Sequence, residues 1–111
     1  MEHKMKLNNG PFNMMKNGQK DIEMRLYDEK RQQIKVGDTI EFTNIISNET
    51  INYAVKELHI YNSFEQIYKI FDKERLGYQP EEDAHYTDME QFYSKDDILK
   101  YGVVGIELIK E

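Results

Sequence analysis

The chain has 111 residues, no cysteine, 39% hydrophobic residues and a net charge of −6. That length fits one domain spanning residues 1–111, and the missing thiols exclude disulfides, thiolate metal sites and a cysteine nucleophile. The acidic balance argues against a protein that coats nucleic acid non-specifically.

Residues 5–8 read as a short first strand. Asn9-Gly10-Pro11 then starts a helix, with Pro11 in the first turn where its missing N–H costs nothing. Phe12 and Met15 share one face of it, and Gly18 suits the left-handed position that ends it. Ile22, Met24 and Leu26 alternate with Asp21, Glu23 and Arg25, which predicts a strand with one apolar and one charged face. Residues 27–33 are polar and read as a loop or a single helical turn, and Val36-Gly37-Asp38 as a turn. Ile40 and Phe42 alternate with Glu41 and Thr43 in another strand, which Ser47-Asn48-Glu49 closes as a hairpin.

The following strand, from about Ile51 to Tyr61, changes apolar parity near Lys56-Glu57, the mark of a β-bulge in a curled sheet. Ser63 and Gln66 have capping-box spacing, and Phe64, Ile67, Tyr68 and Phe71 follow the helical repeat. Gly77 reads as a stop and Pro80-Glu81-Glu82-Asp83 as an exposed loop. Thr87 with Glu90 repeats the capping-box spacing, Ser94 caps one more turn and Gly102 breaks it. Val104, Ile106 and Leu108 form the last strand, with Gly105 allowing close backbone approach. The expected fold class is α+β: a small β-barrel of about five to six mostly antiparallel strands, joined through hairpins, with short covering helices.

Thirteen aromatics (8 Tyr, 5 Phe) argue against disorder. No stretch approaches the ~20 apolar residues of a membrane helix, and no secretory signal stands at the N-terminus. A cytoplasmic location, with no membrane association, is the default expectation. The charge is uneven: residues 1–37 hold 8 Lys/Arg against 5 Asp/Glu and residues 38–111 hold 7 against 16. An anionic ligand should therefore meet the N-terminal third.

The densest group of paired charges is Lys20, Asp21, Glu23, Arg25, Asp28, Lys30 and Arg31. Glu23 and Arg25 share a strand face, roughly 7 Å apart along it. Lys and Arg hold phosphate or carbonyl oxygens, Arg with a planar fork, and Glu accepts from an exocyclic amine. Spacing alone leaves a solvated strand face with weak surface ion pairs as the plainer alternative. The order Gly18-Gln19-Lys20-Asp21-Ile22-Glu23-Met24-Arg25, however, resembles the G-x-K-x-x-E-x-R motif of the ASCH domain family, related to the PUA domains. Pro11-Phe12 ahead of it resembles the family pattern too, as do residues 25–31, residues 34–42 and Gly102-Val103-Val104-Gly105-Ile106. The likeness thus covers most of the chain.

The resemblance implies a PUA-like barrel with a cleft beside the first helix, RNA binding, and a role near translation or RNA processing. On that analogy Lys20, Glu23 and Arg25 line the cleft and Gly18 shapes its rim. Tyr27 and Arg31 complete the candidate ligand-binding set. One branch of the family comprises amidohydrolases of N4-acetylcytidine, whose pattern resembles G-x-K-T-x-T-x-R. Lys20 matches the lysine, whereas Asp21 and Glu23 replace both threonines. If catalysis occurs, Lys20 and Glu23 are its candidates, and Glu81, Glu82 or Asp83 stands in the region of the family's later glutamate.

His3, His59 and His85 lack ligand spacing, so no metal or other cofactor is expected. Tyr53, Tyr68 and Tyr93 sit at core-like positions, while Tyr27, Tyr61, Tyr78 and Tyr86 fall at element edges and are freer to stack on a ligand. The leading reading is an RNA- or modified-nucleoside-binding module. A small amidohydrolase and a protein-interaction domain with a basic partner are the alternatives.

Overall fold

The computed structural model describes residues 1–111 in full. Five strands, β1 (Glu2–Leu7), β2 (Ile22–Leu26), β3 (Thr39–Asn44), β4 (Thr50–Tyr61) and β5 (Val103–Lys110), form one curled sheet in the order β1-β3-β4-β5-β2. Helix α1 (Asn9–Lys16) follows β1, and α2 (Phe64–Ile70), α3 (Lys73–Leu76) and α4 (Lys95–Tyr101) lie between β4 and β5, with short 3-10 turns at Arg31–Gln33 and Tyr86–Gln91. This is an α+β half-barrel. No helix is long and apolar enough to cross a membrane.

The hairpin expectation needs one correction. β3–β4, β4–β5 and β2–β5 pair antiparallel, but β1 runs parallel to β3. After β1 the chain passes through α1 to β2 at the opposite edge of the sheet, then returns to lay β3 beside β1 in the same direction. The parity change in β4 is a bulge: Val55 pairs with Leu108 and Glu57 with Glu107, leaving Lys56 unpaired between them. The extra residue bends the longest strand and so curls the sheet.

The curl encloses a core of Met5, Leu7, Phe12, Met15, Ile40, Phe42, Tyr53, Val55, Val104, Ile106 and Leu108, with Ile34 closing one end. Helix α1 covers this core with Phe12 and Met15, and the Tyr53 hydroxyl donates to the Met15 carbonyl at 2.6 Å. A second core lies on the sheet's outer side, where Ile22, Met24 and Val103 meet Phe64 and Ile67 of α2, Leu76 of α3 and Met89. Gly105 keeps this side thin: a Cβ there would stand 3.4 Å from Ile22 and 3.5 Å from Ile67.

The capping box at Ser63–Gln66 forms as the sequence predicts, and Ser94 caps α4 through the Asp97 amide. The Thr87–Glu90 box does not. His85 takes the cap position instead, accepting from the Thr87 amide, while Asp88 folds back to the His85 amide.

The Tyr53 bond is buried, and Tyr53→Phe leaves the Met15 carbonyl with the Gly18 amide, at 3.1 Å, as its remaining donor. The variant should lose about 0.5–1.5 kcal/mol, read as a lower urea midpoint with an unchanged m-value. An unshifted midpoint would mean that the bond does not hold α1 in place.

Candidate functional site

Directly opposed residues of an antiparallel pair share one sheet face. Glu23 opposes Ile106 and Arg25 opposes Val104, two residues of the inner core. Ile22 and Met24 therefore point outward to the second core, and the charged side of β2 points inward, at the opening between the sheet's two ends. The alternation predicted from the sequence is present, but neither face of β2 is the wet one.

Three charges meet there. Lys20 is only 4% exposed and Glu23 only 6%. The Lys20 ammonium lies 3.1 Å from Oε1 of Glu23 and donates to the carbonyls of Ile22 and, at 3.0 Å, Leu76. Arg25 Nε donates to Oε2 of Glu23 at 2.7 Å, and its Nη2 donates to the Lys6 carbonyl at 2.9 Å. β1 and β2 share no ladder, so this last bond ties the two free edges of the sheet together. Arg25 Nη1 has no partner in the protein. Burial tends to raise the Glu23 carboxyl, but the adjacent Lys20 and Arg25 charges outweigh it and hold the group below its ordinary value.

Gly77, in the left-handed region at φ 109°, ends α3 and lets the loop lie on the lysine stem; a Cβ there would come 3.1 Å from Lys20 Cδ.

Lys20, Glu23 and Arg25 line a cleft of about 640 Å³. Leu7 and Pro11 border it on one side; Tyr68, Tyr78, Phe92 and Tyr93 supply aromatic walls, and Ile45 and Lys6 stand at its edge. Inside it the Tyr78 hydroxyl donates to Oδ2 of Asp88 at 2.7 Å and accepts from the Tyr68 hydroxyl at 2.7 Å. Burial and these partners push the Tyr78 hydroxyl well above its ordinary value, and burial raises that of Tyr68.

The other expected residues lie elsewhere. Gly18 adopts φ 90° as the turn requires but is not part of the lining. Tyr27 packs on the inner core, and Arg31 pairs with Asp28 at 2.9 Å, both outside the cleft. Asp21 makes a two-pronged pair with Arg75, which also reaches Glu107. Glu82 is the residue of the acidic loop that reaches the cleft. Tyr68 and Tyr93 pack against the second core, as expected, and like Tyr78 they also stand in the cleft wall. Asp88, Met89 and Phe92 escaped the sequence reading because nothing local marks them; they reach the site only through the fold of the α2–α4 segment.

The ASCH domain pattern matches residues 5–110, and the chain belongs to that family. The crystal structure of a hypothetical protein is similar over 100% of both chains, with 34% identity and a TM-score of 0.85. A Pyrococcus furiosus protein solved by NMR shares 34% identity over 99% of this chain and 97% of its own, with a TM-score of 0.76. No curated protein matches it.

A carboxyl held below its ordinary value contributes stability above its unfolded value, about 4.3, and loses that contribution as pH falls through the lower folded value. Glu23→Gln should therefore cost about 3–5 kcal/mol at pH 7 by stripping two buried cations of their shared anion. The gap to the parent should narrow in acid, in urea unfolding compared at pH 7 and pH 3. A gap that stayed constant would show that Glu23 is not carried as an anion.

Proposed function

We propose that this ASCH domain is a recognition module for a nucleobase, presented by RNA or as a free modified nucleoside, and that the base enters the cleft to meet Glu23 and Arg25. The observation that carries this reading is the clamped carboxylate. Glu23 is fixed through both oxygens and keeps acceptor capacity on each, and the guanidinium that holds it, that of Arg25, has Nη1 unpartnered. A fixed acceptor and an anchored guanidinium with a free donor in one cleft suit the edge of a heterocycle, whose amine or ring N–H donates while its carbonyl accepts.

The surroundings support the same ligand. Tyr68, Tyr78, Phe92 and Tyr93 offer ring faces, and stacking on aromatic side chains is the usual way a single unpaired base is held. The volume lies within the ordinary range of small-molecule sites, about 300–1,000 Å³. The kinship with the PUA-like superfamily that the motif implies adds an RNA context by analogy.

Hydrolysis of an acetylated cytidine is less well supported. A nucleophilic or basic lysine needs a free lone pair, whereas two carbonyls and a carboxylate surround the Lys20 ammonium. Glu23 also stands where that branch carries a hydroxyl residue.

Phe92 is 58% exposed and borders the cleft, so Phe92→Ala tests binding with little effect on folding. Titration with nucleosides and single-stranded RNA should show saturable binding that the variant weakens about 5- to 100-fold, the worth of one stacked base. Lys6 is the one cation of the lining without a carboxylate partner, so the salt dependence should be shallow, with a slope of about one. No binding at low salt, or equal binding by Phe92→Ala, would overturn the reading.

A further inference from the structure

We propose that the cleft carries a second polar subsite, the Tyr68–Tyr78–Asp88 chain, which takes a pentose hydroxyl, so that the sugar is recognised as well as the base. This rests on the nucleobase reading and adds what the rest of the ligand must be.

The direction of the hydrogen bonds in that chain is fixed. Tyr78 donates its single hydrogen to Oδ2 of Asp88, so in the bond between the two tyrosines Tyr68 is the donor. Both tyrosine hydrogens are spent. Oδ2 of Asp88 takes the Tyr78 bond and a long one, 3.4 Å, from the His85 amide; Oδ1 accepts nothing from the protein. Asp88 lines the cleft, so its carboxylate brings there an oxygen whose sister atom is anchored and which is open to a ligand's donor.

The donor that this oxygen suits is an O–H of a neutral molecule rather than an ammonium. Lys6, Lys20 and Arg25 balance Glu23, Glu82 and Asp88, so the lining carries no net charge to attract a cation. An acidic side chain accepting from ribose hydroxyls is a recurrent solution in nucleotide-binding folds.

The placement suits a nucleoside. Tyr78 begins beside Lys20, since the preceding Gly77 lies against the lysine stem and the Leu76 carbonyl accepts from its ammonium. It ends at Asp88. Lys20 and Asp88 thus stand at the two ends of Tyr78, the backbone end and the hydroxyl end, which sets a base at Glu23 apart from a sugar at Asp88.

The test compares the four common ribonucleosides with their 2′-deoxy and 3′-deoxy forms by calorimetric titration of the whole chain. At least one deoxy form of the preferred nucleoside should bind roughly tenfold more weakly, the worth of a hydrogen bond to a charged acceptor. In Asp88→Asn, and in Tyr78→Phe where the carboxylate loses its anchor, that ratio should shrink. Equal binding of the ribo and both deoxy forms by the parent overturns the sugar subsite and leaves the base site standing, as does an undiminished ratio in Asp88→Asn. No binding of any nucleoside or of RNA overturns both. The parent comparison needs no variant, so a folding defect in either substitution does not decide the matter.

Discussion

The arrangement on which the rest depends is a carboxylate sealed between two cations. Glu23 is held by Lys20 and Arg25 in a place that water scarcely reaches. Such a cluster is weak evidence of net stability, because desolvating three charges offsets much of their attraction. It is strong evidence of constraint, because removing any one member strands the others. Lys20 fixes α3 through the Leu76 carbonyl, and Arg25 fixes the end of β1 through the Lys6 carbonyl. One cluster therefore locks the helical cover and the two edges of the sheet to the same strand, and the cleft is the space those elements leave between them.

Burying charge on β2 works because the strand has two dry faces. Its outward side sits under α2 and α3, and its inward side shares the surface of the inner core with Val104 and Ile106. A solvated charged face would leave Glu23 free to rotate and its partners screened. Facing inward, the same residues acquire fixed positions and a low-dielectric setting in which a ligand hydrogen bond weighs more than it does in water.

Much of this was legible in the residues. Alternation placed β2, β3 and β5, the broken parity placed the bulge at Lys56, and Ser63–Gln66 placed α2, because each signal is carried by neighbours in the chain. The family motif marked Lys20, Glu23 and Arg25. Which face of β2 is dry was not legible: period-two patterning separates two faces without saying what covers either. The parallel β1–β3 pairing depends on the route of α1 and β2 across the sheet, and the aromatic half of the cleft on how residues 64–93 fold back over it. Tyr68, Tyr78 and Asp88 are each ten residues apart, a spacing that no helix or strand period brings together.

The balance of spent and unspent groups then narrows the ligand. Among the donors, the Lys20 ammonium is enclosed by its acceptors and Arg25 keeps Nη1. Among the acceptors, both Glu23 oxygens retain capacity and one Asp88 oxygen is unused. These anchored free acceptors select a molecule with N–H and O–H groups to place on them. A site whose charges cancel selects one without formal charge in the part it encloses. Polyphosphates fail the first condition and polyamines the second, whereas a base carrying its sugar meets both. Any phosphate would be left at the mouth near Lys6, which is where a chain of nucleotides would have to emerge.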